Sequence, residues 1–429
     1  MKPLPFARLL AISAFGFALT LLSNTLEPAV LGHKVLELAP NQPNTALGFT
    51  TFAGLIVAIL VQPVIGVLSD RARTRWGRRM PFFALGTVLV IACLLLVALA
   101  PDFVLLVAGV LLIQFASNTV QGPWQALIPD HVPEHQRGQA SSIKATYDIL
   151  ALIVGRTIAG QLIGHFSQWG QVAVLAAVGV PSIVFIVALF ITGTAARESP
   201  DTASAAPPQT VRQALTRSFN IDLRAHPAFG WWFANRLLFW AAFIALNTFL
   251  LFFAVDVIKL QQDEAQRYIG TLSTVLGAAL VIISIPSGWI TDRIGRKPLI
   301  VAAGLIATLG TLVILMARDL AHITAAAGII GVGIGMFLSA NWALITDIVP
   351  RDEAARYLGV ANIATAGGSA IARFIGGAII DPLNHLTGST SAGYIALYAI
   401  AALFFLLSAL VILPLPTKPI HTNRQPVPD

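Results

Sequence analysis

The chain has 429 residues, of which 56% are hydrophobic and only 11% are charged, and its formal net charge is +7. A soluble domain carries about 25% charged residues, so most of this chain is not suited to face water. Because the basic residues lie in short turns between apolar runs, a nucleic-acid partner is not expected. The single cysteine lies inside an apolar run, which excludes a disulfide framework and a cysteine-rich metal site.

Twelve apolar segments have about the length that a membrane-spanning helix needs, roughly 20 residues. The first segment follows Lys2 and Arg8, as in a signal peptide, but it continues to about Leu31 without a convincing cleavage site. We therefore expect it to be the first membrane helix. The predicted spans are 7–32, 45–68, 80–100, 103–128, 138–164, 171–194, 229–255, 266–290, 298–317, 321–346, 355–380 and 391–414.

The distribution of lysine and arginine predicts the orientation of these spans. With a cytoplasmic N-terminus, 19 of the 27 basic residues lie on the cytoplasmic side, four lie outside and four lie within spans. This asymmetry predicts an even number of spans with both termini in the cytoplasm. We expect a monomer in the inner (cytoplasmic) membrane that contacts membrane lipids.

A basic turn occurs twice in the chain, each time between two apolar segments. In the first copy Asp70 precedes Pro81, and in the second copy Asp292 precedes Pro298. Fewer residues separate Pro81 from Pro298 than separate Asp70 from Asp292, because the loop between aspartate and proline is longer in the first copy. The offset of the prolines also relates Asp130 to Asp347, Arg156 to Arg373 and Gly160 to Gly377.

A repeat at half-chain spacing in an apolar protein predicts a duplicated helical bundle. The polar segment between the halves contains Pro200, Pro207 and Pro208, which is typical of a linker. We therefore expect four regions. They are an N-terminal six-helix bundle over 1–195, a cytoplasmic linker over 196–228, a C-terminal six-helix bundle over 229–415 and a cytoplasmic tail over 416–429.

The repeated turns resemble those of the major facilitator superfamily, and the second copy, 288–298, fits that pattern at every defined position. The first copy, 69–82, resembles the long loop of sucrose and related glycoside–cation symporters, and 118–123 is similar to a second motif of that group. Gln114 and Gln125 stand where plant-type sucrose transporters carry an aspartate and an arginine, so the resemblance does not extend to those charges.

This resemblance implies an all-α membrane protein with twelve transmembrane helices in two pseudo-symmetric six-helix bundles. It also implies secondary transport, in which a sugar or glycoside is taken up with a proton or another cation by alternating access. The expected partners are thus a small-molecule substrate and a proton or other cation.

Ionisable side chains within the predicted spans are candidates for substrate binding and coupling. Each charge at the centre of a span costs roughly 2.5–3.5 kcal/mol on insertion scales, so these residues should face a cavity or one another. Their formal sum of +2 leaves an anionic substrate, such as a hexuronide or an organic acid, as an alternative. The six residues are Glu27, Lys144, Asp148, Arg156, Arg236 and Arg373.

The spacing of these residues predicts some of their partners. Lys144 and Asp148 are four residues apart and can touch on one helix face. We favour Asp148, near mid-membrane, as the proton-coupling acid and place Glu27 second. Glu27 and Arg156 should lie at similar height in the membrane, which allows a pair between them. The Arg373 guanidinium either binds substrate oxygens or is neutralised by Asp381, eight residues on.

Polar and aromatic residues are concentrated in the helices that line the central cavity of the resembled superfamily. Amides offer hydrogen-bond donors and acceptors, and an indole offers a flat apolar face to a sugar ring. Hydrogen bonding between helices and interfacial anchoring are the alternative roles. The predicted substrate-binding residues are Asn24, Asn118, Gln121, Lys144, Arg156, Asn235, Arg236, Trp240, Asn341 and Arg373.

The repeated turns have two possible roles, which are compatible. Their basic residues could hold the loops in the cytoplasm and bind anionic lipid. They could also form a cytoplasmic latch between the halves, as the resemblance implies. The predicted gating residues are Asp70, Arg71, Arg78, Asp130, Arg137, Asp292, Arg293, Arg296, Asp347 and Arg356.

Enzymatic functions find little support in the sequence. His131 and His135 are four residues apart, but Pro133 interrupts the helix that would place them on one face, so a metal site is not expected. The chain has no phosphate-binding loop that would couple transport to ATP. We expect no enzymatic activity and no cofactor. A membrane receptor or scaffold remains an alternative, although six ionisable residues within the spans argue against it.

Overall fold

A computed structural model describes residues 3–72, 74, 76–133, 136–195, 227–317, 319–349 and 354–415. Every regular element within these ranges is a helix. This agrees with the chemistry of a bilayer, where backbone N–H and C=O groups have no water to bond and a helix satisfies them internally. The predicted tail and residues 196–226 of the predicted linker lie outside the described residues, and the last two linker residues begin the helix Pro227–Thr248.

Within the described residues, twelve helices are long and apolar enough to cross a membrane, as the sequence predicts. Span 1 consists of Phe6–Thr25, a π-helical segment Leu26–Leu31 and Gly32–Leu38. Spans 2 to 12 are the helices Pro43–Arg71, Met80–Ala98, Phe103–Gln125, Arg137–Ile163, Gln171–Ala195, Pro227–Thr248, Gln262–Ile294, Arg296–Leu315, Leu320–Ile348, Ala354–Thr387 and Ala392–Val411. In the part of the chain that the structure describes, the connections contain the short helices Leu127–His131, Phe166–Trp169 and Leu250–Asp256.

The helix boundaries differ from the predicted ones at two places that concern the candidate site. Span 1 does not end near residue 32 but continues to Leu38 through its π-helical segment, which contains Pro28. A proline has no N–H for the normal ladder, and π-helical turns are frequent at functional sites. Span 7 ends at Thr248, before the separate helix Leu250–Asp256, rather than running to residue 255.

The internal repeat extends to the helix caps. Asp102 accepts a hydrogen bond from the backbone N–H of Leu105 at the start of span 4. Asp319 accepts one from the backbone N–H of His322 at the start of span 10. Each carboxylate satisfies a backbone donor that has no partner within its own helix. Asp102 and Asp319 are separated by the same number of residues as Pro81 and Pro298 of the repeated turns. The repeat in sequence is therefore also a repeat in local structure.

The chain forms two compact units. Unit 1 comprises Met1–Asn220, Ile244–Gly277 and Ser369–Leu397. Unit 2 comprises Ile221–Phe243, Ala278–Gly368 and Tyr398–Asp429. Unit 1 therefore combines the first half of the chain with the ends of spans 7, 8, 11 and 12 that adjoin their connecting loops. The division into two six-helix bundles by sequence stays a prediction.

If every span crosses the membrane once, the connecting loops alternate between two sides. We call the side that holds the N-terminus the near side, and the side that holds residues 39–42 the far side. The segments of spans 7, 8, 11 and 12 that belong to unit 1 flank the connections at 249–261 and 388–391, so they are the far-side ends of these helices.

Two glycine crossings join the far-side ends of the sequence halves within unit 1. A Cβ atom on Gly48 of span 2 would lie 2.6 Å from the Cα of Gly377 in span 11. A Cβ atom on Gly160 of span 5 would lie 3.3 Å from the Cα of Gly270 in span 8. Small residues allow helices to approach this closely. Gly160 corresponds to Gly377 in the sequence repeat. Gly48 corresponds to Gly270, because their residue numbers differ by the same amount as those of Asp70 and Asp292. The two crossings are therefore equivalent.

Candidate substrate and coupling site

An ion pair joins the sequence halves inside unit 1. The Nη2 atom of Arg373 donates to Oε2 of Glu27 at 2.6 Å. The arginine side chain is 9% exposed and the glutamate 32%. Of the two alternatives for Arg373, neutralisation by Asp381 is therefore not the one observed, and Glu27 takes that place. The reason lies in the helix crossing at Gly377, which brings span 11 against the first half, where the π-helical segment of span 1 presents Glu27.

Arg156 occupies the equivalent position in the first half of the chain. Its Nε donates to Oδ1 of Asn24 at 2.9 Å, and its Nη1 donates to Oδ1 of Asn247 in span 7. The direct pair with Glu27 that the sequence allows does not form, and that carboxylate bonds Arg373 instead. Arg156 and Arg373 correspond in the repeat, and each bonds a residue in the first span of the opposite sequence half. Arg156 bonds Asn247 in span 7, and Arg373 bonds Glu27 in span 1. The repeat thus places a carboxylate beside one arginine and a neutral amide beside the other.

A small polar pocket lies beside these groups, entirely within unit 1. About 320 Å³ of space lies between its lining side chains, part of it open to solvent, and the cavity itself has a volume of about 30 Å³. The charged groups of Glu27 and Arg156 contribute to its wall, and hydroxyl and amide groups supply further hydrogen-bonding atoms. The lining residues are Glu27, Pro28, Leu47, Thr51, Arg156, Ile244, Asn247 and Thr248. Such a wall presents both hydrogen-bond donors and acceptors.

Lys144 and Asp148 touch, as their spacing predicts. The Lys144 Nζ donates to Oδ2 of Asp148 at 2.8 Å, and both side chains are about one-third exposed. Thr20 of span 1 donates its hydroxyl to Oδ1 of the same carboxylate at 2.8 Å, a contact between distant residues that was not predicted. The Lys144 ammonium also lies 5.5 Å from the ring centroid of Trp124. The carboxylate and its cation thus belong to one helix.

A second polar network, not predicted from sequence, lies at the far-side end of unit 1. Asn44 donates from Nδ2 to Oδ1 of Asp381 at 2.8 Å and to the Tyr394 hydroxyl at 2.9 Å. The backbone N–H of Thr45 bonds the other Asp381 oxygen at 2.7 Å, so an acid from span 11 caps the start of span 2. The Tyr394 hydroxyl in turn donates to Asp256 at 2.5 Å. The sequence signal for this network is weak, because Asp256 and Asp381 each lie just beyond the end of a predicted span.

Burial raises the pKa of the Asp256 carboxyl above its ordinary value. The hydrogen bond from Tyr394 and the charge of Lys259 oppose this rise, whereas the charge of Asp381 adds to it. Asp256 lies between the spans, in the connection after span 7. This end of unit 1 therefore contains a carboxyl group that takes up a proton more readily than a solvent-exposed aspartate.

Unit 2 contains the remaining predicted cation. Arg236 of span 7 is 3% exposed and donates from Nη1 to Oδ1 of Asn341 at 2.7 Å. It also donates from Nε to the hydroxyl of Thr365 at 3.0 Å. Asn341 donates to Asn235 at 3.0 Å, and Asn235 donates to both oxygens of Ser408. Asn235 and Asn341 thus form a buried network that holds the guanidinium.

Three other predicted substrate residues have less specific surroundings. Asn118 is buried and donates to the Gln114 carbonyl of its own helix at 2.8 Å, which satisfies its amide without a ligand. Gln121 is half-buried. Trp240 is half-buried and packs edge-on against Phe243, with ring centroids 5.8 Å apart. Their proposed role in substrate binding stays a prediction.

The near-side turns place their arginines on acids of the following helix pair. Arg79 donates from Nε and Nη2 to Asp130 in unit 1, and Arg78 contacts the same carboxylate at 2.6 Å. In unit 2, Arg296 pairs with Asp347. Arg79 and Arg296 are separated by the same number of residues as Asp130 and Asp347. The two arginine–aspartate contacts therefore occupy equivalent positions in the repeat.

The other predicted gating residues are less constrained. Arg137 donates from Nε to the carbonyl of Val132 at 3.3 Å, and Arg293 is exposed. The side chains of Asp70, Arg71, Asp292 and Arg356 lie outside the described part of the structure. A latch between the halves at the near side therefore stays a prediction.

Curated relatives match part of the chain. The sucrose transport protein SUT1 of Oryza sativa subsp. japonica is 30% identical over 129 residues, which is 25% of this chain and 24% of that protein. The general alpha-glucoside permease of Schizosaccharomyces pombe is 28% identical over 162 residues, or 33% of this chain and 29% of that protein. The chain thus spans less than a third of the length of these relatives.

Solved structures match nearly the whole chain in fold. A mutant of the nucleoside transporter NupG superposes with a TM-score of 0.73 at 12% identity, covering 95% of this chain and 99% of that chain. A D-xylose–proton symporter superposes with a TM-score of 0.66 at 16% identity, covering 95% and 96% of the two chains. At such identities the likeness concerns the fold alone.

A family model extends the match in sequence. The model described as MFS/sugar transport protein matches residues 42–415, which is most of the chain. Together with the twelve apolar helices, this confirms the resemblance drawn from the repeated turns. The chain therefore belongs to the MFS/sugar transport protein family and is a multi-pass membrane protein with the major facilitator fold.

Proposed function

We propose that this protein takes up a sugar or glycoside together with a proton, by alternating access to a binding site between its helices. The observation that carries the proposal is the Glu27–Arg373 ion pair, which joins the two sequence halves beside a polar pocket. The names of the relatives, a sucrose transporter and an alpha-glucoside permease, support a sugar as substrate. The excess of basic residues on the near side supports cytoplasmic termini in an inner membrane.

In this mechanism Glu27 couples the proton to the closure of the far side. When the far side is open, the carboxylate binds a proton from outside, and a substrate enters the pocket. Closure brings the Arg373 guanidinium onto Glu27. Because an ion pair forms only with a deprotonated carboxylate, Glu27 gives up its proton as the far side closes, and the proton leaves to the near side, toward which the site then opens. The coupling therefore depends on a contact that changes when the halves move, which is what a two-state element requires.

The substrate would bind through hydroxyl groups. The guanidinium of Arg156 and the amide of Asn247 lie in the pocket wall with the hydroxyl groups of Thr51 and Thr248. These groups offer several donors and acceptors in a partly buried site, where a lost hydrogen bond is costly. The arrangement of these protein groups would thus favour sugars whose hydroxyl groups stand where they can form the matching hydrogen bonds.

Asp148, which the sequence favours as the coupling acid, has a different environment. Its cation, Lys144, lies four residues away on the same helix, and its other partner, Thr20, is in the first half of the chain. Protonation of Asp148 would thus change contacts within one half of the sequence. Protonation of Glu27 would remove a contact between the halves, and for this reason we place Glu27 before Asp148.

Purified protein in liposomes tests the proposal. With an imposed inward proton gradient, the wild type should accumulate sucrose or methyl α-glucoside against its concentration gradient. Glu27→Gln should lose this accumulation but retain exchange of labelled substrate, because the amide cannot bind and release a proton at this site. Asp148→Asn is the matched control, since it also replaces a carboxylate by its amide.

The outcomes separate the alternatives. Accumulation by Glu27→Gln together with loss in Asp148→Asn would return the coupling role to Asp148. Accumulation that persists in both variants would reject both acids. Absence of any sugar flux in the wild type would reject the transport function and favour a receptor or scaffold.

A further inference from the structure

We infer that Asp256 is a second proton-binding site, separate from Glu27, and that a proton on Asp256 stabilises the closed far side. The inference rests on the proposed alternating access, but it does not depend on the coupling role of Glu27. The carrying observation is a chain of hydrogen bonds within unit 1, which links Asp256 through Tyr394 to Asn44 in the opposite sequence half.

This chain joins elements that separate when the far side opens. Asn44 lies at the start of span 2, whereas Tyr394 belongs to span 12 and Asp256 to the connection after span 7. Asn44 and Tyr394 are 1% and 0% exposed, so their bond is shielded from water. A Cβ atom on Gly377 would lie 3.5 Å from the carbonyl oxygen of Asn44, which places the chain at the tight crossing of spans 2 and 11. Opening of this crossing would break the bond between Asn44 and Tyr394 and admit water to Asp256.

Two carboxyl groups meet in this network, and their contacts differ. The Asp381 carboxylate accepts the side-chain N–H of Asn44 at 2.8 Å and the backbone N–H of Thr45 at 2.7 Å. It also lies at the start of a helix, where the helix dipole stabilises a negative charge. Among the described contacts, Asp256 accepts one hydrogen bond, from the Tyr394 hydroxyl at 2.5 Å. The network therefore favours the negative charge on Asp381 and the proton on Asp256.

The surroundings of Asp256 determine how its protonation affects closure. Burial raises the pKa of Asp256, and the charge of Asp381 raises it further, whereas the Tyr394 hydrogen bond and the Lys259 charge lower it. Lys259 is exposed and donates to the Thr390 hydroxyl at 3.3 Å, so water screens its charge. A carboxyl group whose pKa is higher in the closed state binds its proton more tightly there. Acid therefore favours closure, and this contribution is lost as the pH rises through the raised pKa.

The two acids respond to protons in opposite directions. A proton on Glu27 prevents the ion pair with Arg373 and favours opening, whereas a proton on Asp256 favours closure. Because Asp256 lies in a far-side connection, its proton exchanges with the solution on that side and is not carried across. External acid would thus load Glu27 with its proton and also stabilise the closure that follows.

Distances across the far side test the inference in the full chain. Spin labels on Asn41→Cys and Leu386→Cys, in a Cys93→Ala background, would report opening by double electron–electron resonance in lipid nanodiscs without substrate. Both labelled residues are exposed, one in the connection 39–42 and the other near the far-side end of span 11. The measured quantity is the closed-to-open ratio of the labelled wild type, divided by that of Asp256→Asn at the same pH.

This quotient cancels the effects of other titrating groups, Glu27 included. On acidification from about pH 7.5 to about pH 4 it should rise by about three-fold or more, since each unit of pKa difference between the two states allows about a ten-fold change. Asp102→Asn is the matched control, because Asp102 is an exposed far-side aspartate and asparagine caps a helix equally well. In place of the wild type it should give the same rise.

Tyr394→Phe tests the chain of hydrogen bonds itself. The variant keeps the buried ring and loses the hydroxyl that lowers the pKa of Asp256. Relative to Asp256→Asn in the same Tyr394→Phe background, its closed-to-open ratio should therefore begin to rise at a higher pH than in the wild type.

A quotient that stays constant or falls on acidification would overturn the inference, and so would an unchanged onset in Tyr394→Phe. A single far-side distance at every pH in all variants would contradict both the inference and alternating access. Because the distances are measured without substrate, a failure of sugar uptake in liposomes would reject the proposed sugar transport alone.

Discussion

Replacing Gly48 by alanine should push the far-side crossing of spans 2 and 11 apart. The added Cβ would lie 2.6 Å from both the carbonyl oxygen of Arg373 and the Cα of Gly377, and 2.9 Å from the backbone nitrogen of Gly377. All three are backbone atoms, so no side-chain rotation can relieve the overlap. The same crossing positions Arg373 against Glu27, so it is part of far-side closure.

The size of the effect follows from these distances. Carbon atoms in contact prefer a separation of about 3.5–4.0 Å, so the helices must move apart by roughly 1 Å. Overpacking of this kind costs about 1–3 kcal/mol. Because the cost applies only when the far side is closed, it should shift the equilibrium toward the far-side-open state by about 5- to 150-fold.

Labelling of a pocket residue measures this shift. We would introduce Thr248→Cys in a Cys93→Ala background and follow its reaction with a membrane-impermeant maleimide applied to the far side. Gly48→Ala should increase the labelling rate. Gly66→Ala is the matched control, because Gly66 lies in the same helix and its added Cβ would meet no atom within 4 Å.

The control also separates packing from helix propensity. Alanine in place of glycine stabilises a helix interior by roughly 0.5–1 kcal/mol, and both variants share this gain. Equal labelling rates for Gly48→Ala and Gly66→Ala would refute the reasoning, since they would show that the crossing does not govern access to the pocket.

Three further predictions follow from the described contacts. Asp256→Asn should remove a pH dependence of stability. Burial raises the folded-state pKa of the Asp256 carboxyl, so the wild type should lose stability as the pH rises from the ordinary pKa of an aspartate through the raised one. Melting curves across acidic pH should show this slope in the wild type and not in the variant. Arg79→Gln should lower the free energy of unfolding by about 3 kcal/mol, because the Arg79 side chain is only 3% exposed. Arg296→Gln should lower it by less than about 1 kcal/mol, because the Arg296 side chain is 30% exposed. Similar melting temperatures of the two variants would contradict this ranking. Asp70→Asn and Asp292→Asn should alter the labelling of cysteines from the two sides if the repeated turns form a latch, and unchanged labelling in both would leave them as topology signals alone.

The parts of the fold that depend on local sequence could be predicted. Twelve spans follow from apolar runs of sufficient length, because a bilayer admits only helices of this composition. The Lys144–Asp148 contact follows from helical periodicity, since residues four apart lie on one face. The correspondence of Asp130 and Asp347 follows from the repeat, and each of them contacts an arginine of the repeated turn in its own half, Arg79 and Arg296 respectively. The predicted gating residues include Arg78 rather than Arg79 in the first turn.

Contacts between distant helices could not be predicted in the same way. Glu27 and Arg373 are 346 residues apart, and their pairing depends on how span 11 crosses the first half. The choice of Glu27 over Asp381 as the partner of Arg373 is decided by the start of span 2, where Asn44 and the Thr45 N–H already bond Asp381. Sequence spacing alone carries no information on such competition.

Proton movement driven by sugar is the most direct test of the central claim, which is that substrate and proton cross together. Liposomes containing the protein and an internal pH-sensitive dye would receive an inward sugar gradient without any imposed proton gradient. Coupled entry of sugar and proton predicts acidification of the interior in wild-type vesicles and none with Glu27→Gln, although labelled sugar still exchanges in that variant. Sugar entry into wild-type vesicles without acidification would show that the two do not cross together.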